Sequence, residues 1–183
     1  MKVLGVDPGT YVCGYGLIES DGNEIKFLDS GFIGQPRNLS LPLRLKNIFD
    51  KLNTIINIYN PDEMSIEDVF VSKNPRSTLK LGEARGVAIL AASVSNIPVY
   101  EYSPTEVKAS VTGNGRSSKL DVMKMISSIL NIKKSMRSDT SDALAIAICH
   151  IHNSALQKKY GFKIRKKSAR KKRFSIDDIP AQR

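Results

Sequence analysis

The sequence reads as one α/β domain, a mixed five-stranded sheet flanked by helices, in a chain of 183 residues. Three features point that way. Short apolar runs such as Val3-Leu4-Gly5-Val6 and Met64-Ser65-Ile66 have strand length and end in polar residues. Asp21-Gly22-Asn23 is a hairpin signal that makes the first strands antiparallel neighbours. Apolar residues then recur at helical spacing from Leu43 to Ile56, separating the early strands from the late ones.

Taken in order, residues 2–7 form a buried strand, Gly14 to Ser20 a second, and Glu24 to Ile33 a third. A polar loop around Gln35 to Ser40 follows, and Pro42 opens a helix carrying Leu43, Leu45, Ile48, Phe49, Leu52, Ile55 and Ile56. Asn60-Pro61-Asp62 stops that helix, and Glu63 to Glu67 is a short strand. Thr78 to Asn96 is a second long helix and Pro98 to Tyr102 the fifth strand. Ser103-Pro104-Thr105-Glu106 places Ser at the cap, Pro at the first helical position and Glu two further on, a capping box that opens a short helix. Gly113-Asn114-Gly115 breaks the chain, and helices follow from about Ser118 to Leu130 and from about Asp139 to Leu156. Three hairpin-type strands, then helix, strand, helix, strand and further helices, is the order of an RNase H-like sheet.

Charge is unevenly placed. The formal net charge is +10, and residues 158–173 hold ten of the 28 basic residues and no acid. The domain is therefore expected over residues 1–157, with 158–183 a basic tail too charged to pack and disordered when free. Residues 1–70 carry 6 basic and 10 acidic groups, whereas 71–137 carry 11 basic and 4 acidic. An acidic pocket beside a basic surface suits a nuclease, because carboxylates hold metal while lysines and arginines hold phosphate backbone. No apolar run is long enough to cross a bilayer. The two cysteines, Cys13 and Cys149, lie far apart without metal-ligand spacing, and no signal-peptide pattern opens the chain. A cytoplasmic protein with buried, unpaired cysteines is expected.

Four carboxylates carry the candidate chemistry. Asp7 closes the first strand before the turn Pro8-Gly9, Glu67 closes the fourth, and Asp139 and Asp142 open the last helix. Side chains three apart on a helix share a face, so the last pair can point at one place. Magnesium takes oxygen ligands, commonly one or two carboxylates with waters and substrate phosphate, and the set therefore fits metal-dependent phosphoryl transfer. Singly, each has an ordinary explanation: a turn former for Asp7, a cap for Asp139, a complement to the helix dipole for Asp142. No convincing Ser/His or Cys/His pairing offers a protein nucleophile, and His150 and His152, two apart on a helix, have poor chelating geometry.

Longer stretches are specific enough to carry a resemblance: Gly5-Val6-Asp7-Pro8-Gly9 with Gly14-Tyr15-Gly16, Ile66-Glu67-Asp68-Val69-Phe70, Asn74-Pro75-Arg76-Ser77, Leu79-Lys80-Leu81-Gly82-Glu83-Ala84-Arg85-Gly86, and Asp139-Thr140-Ser141-Asp142-Ala143-Leu144-Ala145. In order and spacing they resemble the RuvC family of Holliday junction resolvases over nearly all of residues 1–156. The resemblance implies a homodimeric, Mg²⁺-dependent endonuclease, with two ions per site and Mn²⁺ as a substitute. Such an enzyme nicks two strands of like polarity in a four-way DNA junction, leaving 5′-phosphate and 3′-hydroxyl ends, and works beside a branch-migration complex of the RuvA/RuvB kind. Asp7, Glu67, Asp139 and Asp142 fall on the family's metal-binding carboxylates, and Lys108 and Lys119 on lysines near the scissile phosphate. Phe70 falls on an aromatic that stacks on unpaired bases at the crossover, against an alternative of core packing.

Lys73, Arg76, Lys80 and Arg85 read as phosphate contacts, with pairing of Lys80 or Arg85 to Glu83 or its neighbours as the alternative. Leu79, Leu81, Val87, Ile89 and Leu90 belong to the core or to a dimer interface. Tyr11, Cys13, Ser117 and Asp121 depart from residues common in the family, respectively basic, Thr, Ala and Gln. Three other activities compete: an RNase H-like nuclease for ribosomal RNA precursors, a sugar kinase or actin-like ATPase sharing Asp-x-Gly-Thr, and a non-catalytic junction-binding module. The kinase class needs two such domains, for which 183 residues leave no room.

Overall fold

The computed structural model describes residues 1–22, 24–68 and 75–160. One five-stranded sheet organises them. Its strands are β1 (Lys2–Asp7), β2 (Val12–Ser20), β3 (Ile25–Gly34), β4 (Glu63–Glu67) and β5 (Val99–Tyr102), in the order β3-β2-β1-β4-β5. β1, β2 and β3 form an antiparallel meander, and β4 and β5 add in parallel. The helices are α1 (Leu41–Tyr59), α2 (Pro75–Val94), α3 (Pro104–Thr112), α4 (Lys119–Ile129) and α5 (Ser138–Tyr160).

Both faces of the sheet are covered, and the pleat of β1 shows how. Leu4 and Val6 pack with α1 and α2, whereas Val3 joins the cluster under α3, α4 and α5. Gly5 shares the face of Val3, and a Cβ placed on it would stand 2.1 Å from the carbonyl oxygen of Ala143. Gly14 is as constrained, with Asp139 O at 2.1 Å. Helix α5 therefore lies directly on β1 and β2, closer than any side chain on those strands would permit.

Asn60, Asn96 and Asn131 all take positive φ, the left-handed turn that asparagine tolerates. Asn60 is the C-cap of α1, as the Asn-Pro-Asp stop requires. Ser103 and Glu106 form the expected capping box.

The structure extends two helices past their expected bounds and divides the apolar residues of α2 between core and surface. Helix α2 begins at Pro75, whose fixed φ suits a first helical turn. Its buried face is Ala84, Ala88, Ala91 and Ala92, while Leu79 and Leu90 are exposed; alanine lets α2 sit close to α1, and the leucines stay outside. Helix α5 runs on to Tyr160, three residues past the expected domain edge at 157. The segment 161–183 lies outside the described residues.

Candidate active site

The topology delivers the carboxylates to one end of the sheet. Asp7 follows Gly5 on the α5 side of β1, and Glu67 lies one residue beyond the Val6–Ile66 pair that joins β1 to β4. Asp139 and Asp142 occupy the first turns of α5, which Gly14 and Gly5 allow to rest on the sheet. Asp7, Glu67 and Asp142 line a cavity of ≈ 320 Å³ together with Lys108 and Lys119. Asp139 is not on its wall; its Oδ2 accepts a bond from Arg137 Nη2 at 3.4 Å.

The electrostatics confirm the convergence. Burial, then the neighbouring charges of Glu67 and Asp142 and more weakly that of Asp139, push the Asp7 carboxyl up to about 7 from 3.8, against the pull of Lys119. Glu67 is raised by burial and by Asp142, and lowered by Lys119 and Lys108. Lys119 is raised chiefly by its hydrogen bond to Asp142, Nζ to Oδ2 at 2.8 Å. This cluster of acids repels itself and is relieved by cations.

The donor set fits a hard divalent ion: carboxylate oxygens, partly buried, with an excess of negative charge. As the side chains stand, no three acidic, histidine or cysteine groups among the described residues are close enough to cage one. Lys119 holds Asp142 and Arg137 holds Asp139, so a bound ion would take the place of these cations.

The family model described as "Crossover junction endodeoxyribonuclease RuvC" matches residues 3–150. This chain belongs to the RuvC family. The crossover junction endodeoxyribonuclease of Pelobacter propionicus is 46% identical over 156 residues, covering 85% of this chain and 89% of that one. The Shewanella pealeana enzyme is 49% identical over 152 residues, covering 83% and 87%. Among solved structures, T. thermophilus RuvC in complex with a Holliday junction superposes with a TM-score of 0.81 at 28% identity, over 85% of this chain and 96% of that one. The yeast mitochondrial Holliday junction resolvase shares the fold, with a TM-score of 0.63 at 18% identity over 86% of this chain and 82% of that one.

Within this RuvC chain the other expected residues fall into three groups. Lys108 and Lys119 stand in the cavity wall. Lys119 opens α4, whose start is fixed by a capping box in which Ser118 Oγ donates to Asp121 at 2.7 Å and Asp121 N donates back to Ser118 Oγ at 3.2 Å. Ser117 bonds Thr112, hydroxyl to hydroxyl at 2.7 Å. Ser117 and Asp121 thus both bond within the connection that carries Lys119. Arg76 and Lys80 are exposed on α2. Phe70 and Lys73 lie outside the described residues.

Arg85 is paired within the chain, to strand-end acids and not to Glu83. Its guanidinium pairs with Glu101 at 2.7 Å and Asp68 at 4.0 Å, and its Nε donates to the carbonyl of Glu67 at 3.3 Å. It ties α2 to the ends of β4 and β5 beside the site. Two residues escaped the sequence reading: Arg137 and, beneath it, Phe32, with the guanidinium carbon 4.1 Å from the ring centroid. A basic residue two positions before Asp139 was the available signal for Arg137; Phe32 gave none, because strand pairing alone brings it there. Tyr11, also a departure, lays its ring over the Arg44 guanidinium at 4.1 Å. His150 is fully buried, bonding Glu63 through Nε2 and Tyr102 through Nδ1, so it is a satisfied core histidine and not a ligand. Cys13 and Cys149 are buried and unpaired, as expected.

Proposed function

We propose that this chain is a Mg²⁺-dependent endonuclease that resolves four-way DNA junctions by paired symmetric nicks in recombination and repair, acting in the cytoplasm. The observation that carries this reading is the cavity in which Asp7, Glu67 and Asp142 meet Lys108 and Lys119, in a chain of this family. Asp7, Glu67, Asp142 and, after release from Arg137, Asp139 would hold the metal. Bound there, a pair of divalent cations supplies charge neutralisation at the scissile phosphate and a water acidified for attack.

The protein's own groups do the rest. Asp7, whose carboxyl is pushed up to about 7 by burial and the neighbouring acids, would give up its proton on holding the metal. Lys119 and Lys108 are placed to stabilise charge developing on the phosphate and its leaving oxygen, and an aligned donor of this kind accounts for about 10²–10³ in rate. Products with 5′-phosphate and 3′-hydroxyl ends follow if the P–O3′ bond breaks.

Paired cuts need two sites at fixed separation, hence a homodimer. The exposed Leu79, Leu90 and Val94 of α2 are the support for this arrangement, since large apolar side chains left in water on one helix suit an interface. Phe70 and Lys73 belong to the same proposal as junction contacts, with Arg76 and Lys80 on α2. The basic segment beyond Tyr160 adds sequence-independent affinity through counterion release, and a branch-migration complex is the proposed partner.

The test is cleavage of a synthetic four-way junction against linear duplex and structured RNA in Mg²⁺, with nick positions mapped on every strand. Symmetric nicks confined to the junction are expected. Preference for RNA would favour the ribosomal-precursor reading, for which the family and its relatives give no support.

A further inference from the structure

The cations of the site lie on two flanks, and only one was anticipated. Lys108 and Lys119 come from α3 and α4, which follow β5 at one edge of the sheet. Arg137 stands toward the other edge, over Phe32 of β3. Phe32 pairs with Gly14 of β2, the residue pressed against the Asp139 backbone, which brings strand β3, Arg137 and the start of α5 to one place. Phe32 is 46% exposed, an apolar ring left in water beside the carboxylates. The Arg137 side chain is 55% exposed and its hold on Asp139 is long, 3.4 Å.

We infer that Arg137, stacked on Phe32, is a second anchor for the DNA backbone and binds a phosphodiester on the flank of the carboxylate cluster away from Lys108 and Lys119. The inference rests on the nuclease reading above. A guanidinium carries five N–H donors in a rigid fork suited to phosphate oxygens. Stacking on an aromatic face fixes the plane of that fork while its edge stays free for an anion. Pairing with Asp139 holds it close by until a metal claims that carboxylate, at which point the released charge faces the incoming strand. Phe32 is thus a positioning residue, acting through Arg137.

The experiment is junction cleavage in Mg²⁺ by the full-length protein, with KM and kcat measured from 50 to 200 mM salt for wild type, Arg137→Gln, Arg137→Lys and Phe32→Leu. For Arg137→Gln, KM is expected to rise about ten-fold and the slope of log affinity against log salt to flatten by about one, as for the loss of one phosphate contact. Arg137→Lys keeps the slope, because the charge remains. Phe32→Leu raises KM about three-fold with the slope retained. A wild-type slope in Arg137→Gln, or a loss confined to kcat, overturns the inference. A wild-type protein that cuts no junction at all overturns the nuclease reading with it.

Discussion

At the scale of single residues, Asp7 dominates. Its carboxyl is raised from 3.8 to about 7, so folding binds a proton there between those values and its ionisation in the folded state opposes stability. The sign follows directly: metal-free stability is highest below about pH 4 as far as this group is concerned, falls as pH rises to about 7, and levels above that. Asp7→Asn is therefore expected to abolish cleavage while raising the metal-free melting temperature at pH 8 by about 5 °C, the size of a change of 1–2 kcal/mol in a chain of this length. Thermal melts with and without Mg²⁺ check this, and a lowered melting temperature would make Asp7 a structural residue. Because binding of the ion must displace the Asp7 proton, metal affinity is expected to rise with pH through about 7 and then level, measurable by Mn²⁺ titration. The four carboxylates were legible because each closes or opens an element. The partners of Arg85, Glu101 and Asp68, were not legible, because they come from strand ends whose proximity no helical spacing encodes.

The decisive element is α5. Its first turns carry two of the acids, its middle lies on β1 and β2 where Gly5, Gly14 and Gly16 leave room, and further along His150 bonds Glu63 of β4 and Tyr102 of β5. The helix that brings Asp139 and Asp142 is therefore tied to the strand that brings Glu67. Gly14→Ala puts a methyl group against the Asp139 carbonyl, and is expected to cost about 1–3 kcal/mol by overpacking and to lower cleavage at least ten-fold; Gly22→Ala, with open space around it but φ +103, is expected to strain only a surface turn and spare cleavage. Denaturant melts and cleavage rates measured on the two variants check this, and equal rates would separate the helix position from the chemistry. Element types and order were readable from periodicity, turn residues and caps. How α2 divides its faces was not, since its apolar residues suit core and interface alike; the packed structure puts the alanines inside with Val87 and Ile89 against them, and leaves Leu79 and Leu90 outside.

Across the whole molecule, the charge pattern and the sheet order serve one geometry. The acidic segment 1–70 supplies Asp7 and Glu67, the basic segment 71–137 supplies Lys108 and Lys119, and α5 adds Asp142, with Lys119 and Arg137 neutralising acids from opposite flanks. Leu79, Leu90 and Val94 stand exposed on α2; the proposed dimer predicts that Leu90→Glu lowers the sedimenting mass from two chains to one and uncouples the two nicks, and an unchanged mass would remove this face from the interface. Because α5 extends to Tyr160, the tail is tested by ending the chain after that residue. Weaker junction binding at low salt with a flatter salt dependence is expected; an unchanged slope would free the tail of any role in DNA binding. The account stands most directly on where a metal goes. Crystals soaked in Mn²⁺ are expected to show an anomalous peak coordinated by Asp7 and Glu67 with Lys119 displaced from Asp142. A peak held by other residues, or none at a concentration that supports cleavage, would contradict it.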